Sequence, residues 1–207
     1  MIDGIRALLG NLAPSVEEAL LPGASAEQIR ELEAAVGRPL PDDLVRLYQA
    51  TAGIDPRSTA NFAFGLVFTD LGSLLEGLPR LLQEGDGDPL SFADPGIATG
   101  YNFGRLRLEI GHDNGRSKIL VDLAPTAGGE VGQVIFVDSE YGVALKLADS
   151  VSRYLKRFED DLSMGRYSLQ EDALEDGVEW LEPVRDIDVG NWYNSPAWLH
   201  VAQAMKN

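Results

Sequence analysis

The sequence contains no cysteine, only two histidines and no long apolar run. Without cysteine the chain forms no disulfide and offers no thiolate as nucleophile or metal ligand, which agrees with a reducing compartment. Neither His112 nor His200 stands in a metal-binding spacing, so we expect no metal site and no cofactor. No secretory signal pattern occurs, and no stretch approaches the ~20 apolar residues of a membrane helix. These absences predict a cytoplasmic protein.

Basic residues are also scarce, since 17 Lys and Arg stand against 33 Asp and Glu and give a formal net charge of −16. Such a field repels the phosphates of nucleic acids and of anionic membrane surfaces. We therefore expect neither direct nucleic-acid binding nor membrane binding. The same charge attracts basic protein partners, although many acidic proteins use their charge only for solubility. At 207 residues and 44% hydrophobic content, the chain is large enough for one core.

Helical patterns fill the first third of the chain. Residues 2 to 21 predict one or two short helices. The stretch "SAEQIRELEAAVG" predicts a well-marked helix, because Ser25 and Gln28 form a capping box and Gly37 suits the left-handed position after the last turn. The next helix is predicted from Pro41 to a stop at Gly53, with acidic residues in its first turn.

Strand patterns then alternate with helices. "NFAFGLVF" (residues 61 to 68) predicts a strand over residues 62 to 68, "LGSLLEGLPRLLQEG" a helix, and "EGDGDPLSFADPG" a loop. "RLRLEIG" alternates as a half-buried strand does, and tight turns connect it through "KILVDL" and "GQVIFVD" to "GVALKLA". "SVSRYLKRFEDDLSMG" predicts an amphipathic helix. Strands grouped between helices and joined by tight turns favour an α+β fold with a largely antiparallel, or mixed, sheet flanked by helices.

Acidic residues dominate the segment after Gly165, where Trp180 and Trp192 are interleaved with them. Tryptophans indicate that parts of this segment pack against the rest of the protein, and contact with a partner is an equally good explanation of them. "SPAWLHVAQAM" predicts a short terminal helix with Ser195 as N-cap and with Trp198, Leu199 and Ala202 on one face.

The glycine-rich stretch "DLAPTAGGEVGQVIFVDSE" matches neither phosphate-binding template. A P-loop requires a lysine after its last glycine, whereas Gln133 follows Gly132 here. A dinucleotide fingerprint leads into a helix, whereas "QVIFVD" has the β-branched and aromatic residues of a strand. The stretch therefore predicts a strand-to-strand turn.

Catalytic patterns are weak. No G-x-S-x-G nucleophile elbow occurs, and the "GDGD" around Asp86 and Asp88 lacks the later glutamate of a calcium loop. Adjacent acids, such as Asp160 with Asp161, serve glycoside hydrolysis only when they face another carboxylate across a substrate. A carboxylate-dependent hydrolase is thus a distant alternative, and it requires a deep cleft with two acids of perturbed pKa.

Three stretches, in order, resemble the SUKH superfamily, which is typified by fungal cell-wall assembly regulators of the Smi/Knr type. They are "IRELEAAVGRPLPDDLVRLYQATAG", "ILVDLAPTAGGEVGQVIFVDSE" and "ADSVSRYLKRFEDDLSMGRY". The residues that match family positions and that we expect to be structural are Leu40, Pro41, Leu44, Gly53, Asp122, Pro125, Gly129, Gly132 and Gln133.

This resemblance implies an α+β domain over residues 25–167. The patterns on either side predict a helical segment over residues 1–24 and an acidic extension over residues 168–207 that packs on the domain. The resemblance also implies protein recognition without a catalytic apparatus. Bacterial relatives are largely immunity proteins that bind and neutralise toxins, and fungal relatives are scaffolds in cell-wall signalling.

The leading hypothesis is therefore a non-enzymatic immunity protein that binds a basic toxin domain, with a regulatory or scaffold protein of Smi/Knr type as the alternative. The oligomeric state is left open. The residues expected to contact the partner combine acidic charge with two aromatic anchors. They are Asp86, Asp88, Glu171, Asp172, Glu175, Asp176, Glu179, Trp180, Asp186, Asp188 and Trp192.

Overall fold

The computed structural model describes residues 2–81, 89–100, 106–191 and 195–204, and this part of the chain contains eight helices and eight strands. The helices are α1 (Ile2–Leu12), α2 (Pro14–Glu18), α3 (Ala26–Val36), α4 (Asp42–Ala50), α5 (Leu71–Leu81), α6 (Val151–Ser163), α7 (Glu171–Glu175) and α8 (Leu199–Ala204). The strands are β1 (Val67–Phe68), β2 (Phe92–Ala93), β3 (Arg107–His112), β4 (Ser117–Asp122), β5 (Gln133–Asp138), β6 (Val143–Ala148), β7 (Tyr167–Leu169) and β8 (Leu181–Pro183).

Six of the strands form one mixed sheet in the order β1-β3-β4-β5-β6-β2. All neighbours pair antiparallel except β2, which runs parallel to β6. Strands β7 and β8 form a separate antiparallel hairpin, which we call the C-terminal hairpin. The predicted α+β architecture, with a largely antiparallel sheet flanked by helices, is therefore confirmed.

Local signals predicted the helix boundaries best. The Ser25 Oγ accepts a hydrogen bond from the Gln28 amide at 3.2 Å, and the Gln28 Oε1 accepts one from the Ser25 amide at 2.9 Å. Gly37 ends α3 with φ +79°. The predicted stop of α4 at Gly53 is wrong, because the backbone at Thr51 already turns to an extended conformation. Gly53, with φ +111°, instead allows the backbone of Asp70 to approach closely.

Two predictions between α4 and β3 are also wrong. The expected strand over residues 62 to 68 shrinks to Val67–Phe68, because Phe64 adopts a positive φ of +61° within a 3-10 turn over Ala63–Gly65. The expected loop contains β2, whose two residues pair with β6. Pairing with a distant strand organises this segment, so its own sequence carries little signal for it.

Both faces of the sheet are covered. Alternate side chains of β4 and β5, such as Ile119 and Phe136, pack against the helices in the main core. Their neighbours Leu120 and Ile135 pack on the other face against residues of the 89–100 segment. The prediction of a half-buried β3 is therefore wrong for Arg107, which is only 2% exposed and donates a hydrogen bond from Nη2 to the Ala98 carbonyl at 2.6 Å.

The chain ends join the same core. Helix α1 packs against α6, and the buried indole of Trp198 donates from Nε1 to the Val189 carbonyl at 3.0 Å. A 3-10 turn over Pro196–Trp198 precedes α8 and rotates its faces, so Leu199 is 62% exposed and Val201 is buried in place of it. The predicted inner face is therefore wrong for Leu199, whereas Trp198 is buried as expected. No helix among the described residues has the length and apolarity needed to span a membrane.

Candidate functional site

The glycine-rich turn between β4 and β5 is held by a buried polar network. The Gln133 Nε2 donates to the Asp122 Oδ2 and to the Gly96 carbonyl, both at 3.0 Å. The Asp122 Oδ1 accepts from the Ala124 amide at 3.0 Å. Both side chains are fully buried, so these hydrogen bonds are made in a low dielectric and are strong. The buried polar side chains of the turn therefore form hydrogen bonds with each other and with the nearby backbone, as expected of a strand-to-strand turn.

Close contacts explain why two positions of this turn are occupied by glycine. A Cβ at Gly129 would lie 2.4 Å from the Gly96 carbonyl oxygen and 2.7 Å from the Pro125 Cβ. Gly132 has φ +91°, and a Cβ there would lie 3.0 Å from the Pro41 Cγ. Pro41 precedes α4, whose first turn carries the buried Leu44. The turn thus packs against the start of α4, beside the buried Leu40.

The C-terminal hairpin is fixed to the domain by the segment before β1. The Asn61 Nδ2 donates to the Leu181 carbonyl at 2.8 Å, and the Asn61 Oδ1 accepts from the Leu181 amide at 2.9 Å. The Tyr167 hydroxyl accepts from the Phe64 amide at 3.0 Å. Burial raises the pKa of Tyr167, so the phenol stays protonated. The Arg157 guanidinium lies 5.6 Å from the Phe64 ring centroid and helps to hold this strained residue.

A cleft of about 260 Å³ opens where this hairpin meets the sheet, and we call it the hairpin cleft. Its walls come from the 3-10 turn, from the loop between β3 and β4, and from the hairpin with the segment that follows it. The lining residues are Phe64, Gly65, Leu66, Asp113, Ser117, Gln170, Trp180, Leu181, Glu182, Pro183, Asp188, Gly190 and Asn191.

The charge of the hairpin cleft is negative. Asp113, Glu182 and Asp188 line it, and its described lining includes no Lys, Arg or His. The Asp113 Oδ1 accepts from the amides of Gly115 at 2.7 Å and Ser117 at 3.0 Å, which shapes the loop between β3 and β4. Asp188 accepts from the backbone and side-chain nitrogens of Asn191. Neutral donors therefore hold two of the carboxylates in place.

A second acidic cleft, of about 410 Å³, adjoins the hairpin cleft. It shares Gln170 and Glu182 with the hairpin cleft and adds Glu171 and Asp172. The two clefts together make one acidic face around the C-terminal hairpin. Since both clefts are open to solvent and polar, their form suits contact with a protein surface more than enclosure of an apolar small molecule.

The structure brings together some of the residues predicted to contact a partner and separates others. Trp180 and Asp188 line the hairpin cleft, and Glu171 and Asp172 line the second cleft. Others lie apart: Glu175, Asp176 and Asp186 are exposed outside both clefts, and Asp86, Asp88 and Trp192 lie outside the described residues.

Glu179 has an internal role. Its Oε2 accepts from both the amide and the hydroxyl of Ser15, each at 2.7 Å, and so ties the hairpin to α2. Sequence reasoning missed Asp113 and Ser117 as cleft residues, because the "DNG" pattern was interpreted only as a turn. The aspartate of this pattern was the feature of the sequence from which an acidic cleft residue could have been predicted.

The histidines and the adjacent acids have local partners. The His112 Nδ1 accepts from the Asn114 amide at 3.1 Å, and the His200 Nε2 lies 3.0 Å from the Asp94 Oδ1. Asp161 pairs with Arg166 at 2.9 Å. Within residues 2–81, 89–100, 106–191 and 195–204, no group of three or more His, Asp or Glu side chains is placed to hold a metal ion.

Comparison with known families gives one result. The sequence model of the SMI1 / KNR4 family (SUKH-1) matches residues 23–157. No curated protein matches the sequence. The matched region includes Phe64, Asp113 and Ser117, which line the hairpin cleft. It ends before Trp180 and Glu182, which also line it. The cleft is therefore built partly from the matched region and partly from the C-terminal hairpin.

Proposed function

Because the chain belongs to the SMI1 / KNR4 (SUKH-1) family, we propose that it is a protein-binding domain that acts as an immunity protein and neutralises a basic toxin domain by binding it. Family membership supports protein recognition as the general role. The role of an immunity protein is inferred from the surface and the charge of this chain.

The observation that carries the proposal is the acidic face around the C-terminal hairpin. Two adjoining clefts share Glu182, and Trp180 stands half-buried in one of them. Tryptophans are enriched among the residues that dominate binding energy at protein interfaces. A basic toxin surface matches this face in charge, and many toxins that act on nucleic acid are basic for that purpose.

The net charge of −16 adds a long-range contribution. Complementary charge raises association rates from about 10⁵–10⁶ M⁻¹s⁻¹ to about 10⁸ M⁻¹s⁻¹ or more at low salt. Fast capture benefits a protein that must bind a toxin before the toxin reaches its target. Buried contacts, with Trp180 first among them, would then set the lifetime of the complex.

The experiment is co-expression of the chain with the product of the gene adjacent to its own. We expect a complex that survives gel filtration, and growth that is rescued from toxicity. The double variant Glu171→Lys with Asp172→Lys is expected to weaken the complex at least tenfold. The matched control is Glu27→Lys with Glu31→Lys, which makes the same change of charge at exposed positions of α3.

The outcomes separate the two roles that the family offers. Complex formation with rescue supports immunity. Binding to an envelope or signalling protein without any rescue would overturn immunity in favour of a regulatory role of the Smi/Knr type. Equal weakening by the two double variants would show that net charge alone drives binding and that the acidic face around the hairpin is not the contact surface.

A further inference from the structure

Ser117 carries a buried hydroxyl that no described residue satisfies. It is the first residue of β4 and points to the same face of the sheet as Ile119 and Val121, which pack against the helices. It is 1% exposed, and its Oγ has no hydrogen-bond partner among the described residues. Because it lines the hairpin cleft, the group that would satisfy this hydroxyl can come from a ligand in the cleft.

Three of the side chains that line the cleft with Ser117 are carboxylates, which accept hydrogen bonds. The Asp113 Oδ1 accepts two backbone hydrogen bonds, whereas no described residue donates to its Oδ2. Glu182 and Asp188 add negative charge to the walls. Three carboxylates and no Lys, Arg or His in the described lining favour a cation with several hydrogen-bond donors over an anion.

The form of the cleft selects among cations. The acids come from three separate segments and do not converge closely enough, within the described residues, to make a metal site. Trp180 offers an aromatic surface beside them, and a planar guanidinium both stacks on an aromatic ring and carries five donors. The volume of about 260 Å³ is below the 300–1,000 Å³ typical of small-molecule pockets and suits one side chain.

We propose that the hairpin cleft binds the guanidinium group of one arginine side chain presented by the partner protein, an inference that rests on the proposed function. The guanidinium donates to the Ser117 Oγ at the floor and to the Asp113 Oδ2 beside it, and it stacks against Trp180. Glu182 and Asp188 stabilise its charge from the walls. The matched region of the family supplies the acceptors, and the C-terminal hairpin supplies the aromatic surface.

The first test uses the free group alone. The full chain, labelled with ¹⁵N, is titrated with N-acetyl-arginine methylamide, and the backbone amides of Gly65, Ser117, Leu181 and Gly190 are followed by NMR. We expect saturable shifts at these amides at millimolar concentrations, as befits a single side chain. The corresponding lysine compound is expected to bind at least threefold more weakly, and the citrulline compound, which has the same form without the charge, not to bind.

Two variants locate the contacts. Asp113→Asn keeps the oxygen that shapes the loop and removes the charge, and it is expected to weaken arginine binding about tenfold. Ser117→Ala removes the hydroxyl and is expected to weaken binding about fivefold without loss of stability, because the hydroxyl has no described partner in the free protein. Asp176→Asn is the control, since it makes the same chemical change at an exposed residue outside the cleft.

Each alternative result has a definite meaning. Absence of saturable shifts at the cleft amides, or equal binding of the lysine or citrulline compound, overturns the arginine site. A toxin complex that forms normally with Ser117→Ala and Asp113→Asn also overturns it but leaves the proposed function intact. Arginine binding in the cleft without any toxin complex would support the site and overturn the proposed function.

Discussion

Pro41 lies against Gly132, and the space between them leaves little room for a side chain. A Cβ on Gly132 would lie 3.0 Å from the Pro41 Cγ and 3.1 Å from its Cβ, which is closer than ordinary van der Waals contact. Two stretches that are far apart in the sequence, the start of α4 and the glycine-rich turn, meet at this contact. It joins the helical layer to the sheet.

A pair of glycine substitutions measures this contact. Gly132→Ala and Gly128→Ala both place an alanine at positive φ, +91° and +90°, but a Cβ at Gly128 meets nothing within 4 Å. We expect Gly128→Ala to lower the free energy of unfolding by about 1–2 kcal/mol through backbone strain alone. Gly132→Ala is expected to cost a further ~1–3 kcal/mol through overpacking against Pro41. Urea unfolding of both variants checks this, and equal losses would contradict it.

The buried Gln133 is expected to stabilise the fold through its hydrogen bond to Asp122. Gln133→Met keeps the volume but removes the donor to the Asp122 Oδ2, so a buried carboxylate loses one of its partners. We expect a loss of about 2–3 kcal/mol in the free energy of unfolding. A double-mutant cycle with Asp122→Asn is the check. A coupling energy below about 0.5 kcal/mol would mean that the two side chains act independently.

Removal of the hydroxyl is expected to affect stability differently at two buried tyrosines. Tyr167→Phe leaves the Phe64 amide without its acceptor, so we expect a loss of about 1–2 kcal/mol and faster hydrogen exchange at Phe64. Tyr48→Phe removes a hydroxyl that has no described hydrogen-bond partner, so we expect unchanged or higher stability. Thermal unfolding of the two variants tests this contrast. Similar losses for both would show that the bond between Tyr167 and Phe64 contributes nothing specific.

The raised pKa of Asp138 is expected to make the stability of the protein depend on pH. Burial raises the pKa of this carboxyl, against the opposing effect of its backbone hydrogen bonds and of Arg116. The folded state thus binds the proton more tightly than the unfolded state, and the contribution of Asp138 to stability rises as the pH falls through the raised pKa towards the ordinary value of ~3.9.

The variant Asp138→Asn isolates that contribution, because its amide oxygen can still accept from the Glu140 and Tyr141 amides. Urea unfolding of both proteins from pH 7 to pH 4.5 is the measurement. We expect the wild type to gain stability relative to the variant as the pH is lowered. A constant difference across this range would show that the pKa of Asp138 is the same in the folded and unfolded states.

Much of the fold could be predicted from the sequence where the signal is local. The capping box of Ser25 and Gln28 and the apolar stripe of α6 depend on residues three or four apart, so the pattern alone identifies them. Phe64 shows the limit of this reasoning. Its neighbours are strand formers, but the contact with Tyr167 holds it at a positive φ that no local preference predicts.

The candidate site was predictable only in part for the same reason. Composition indicated an acidic segment with Trp180 in it, and the structure places Trp180 and Asp188 in one cleft. Ser117 also lines that cleft, but it belongs to a strand whose sequence indicates only that it forms part of the sheet. Only the docking of the C-terminal hairpin, through Asn61 and Leu181, brings these residues together.

The pair of hydrogen bonds between Asn61 and Leu181 also sets an order of events during synthesis. Asn61 leaves the ribosome 120 residues before the backbone that it binds. At about 5–20 residues per second, the ribosome needs roughly 6–24 seconds to supply Leu181. The early helices and the first strands can pack during this interval, but the cleft stays open on one side until it ends. A newly made chain therefore completes the hairpin cleft only after the earlier helices and strands have been made.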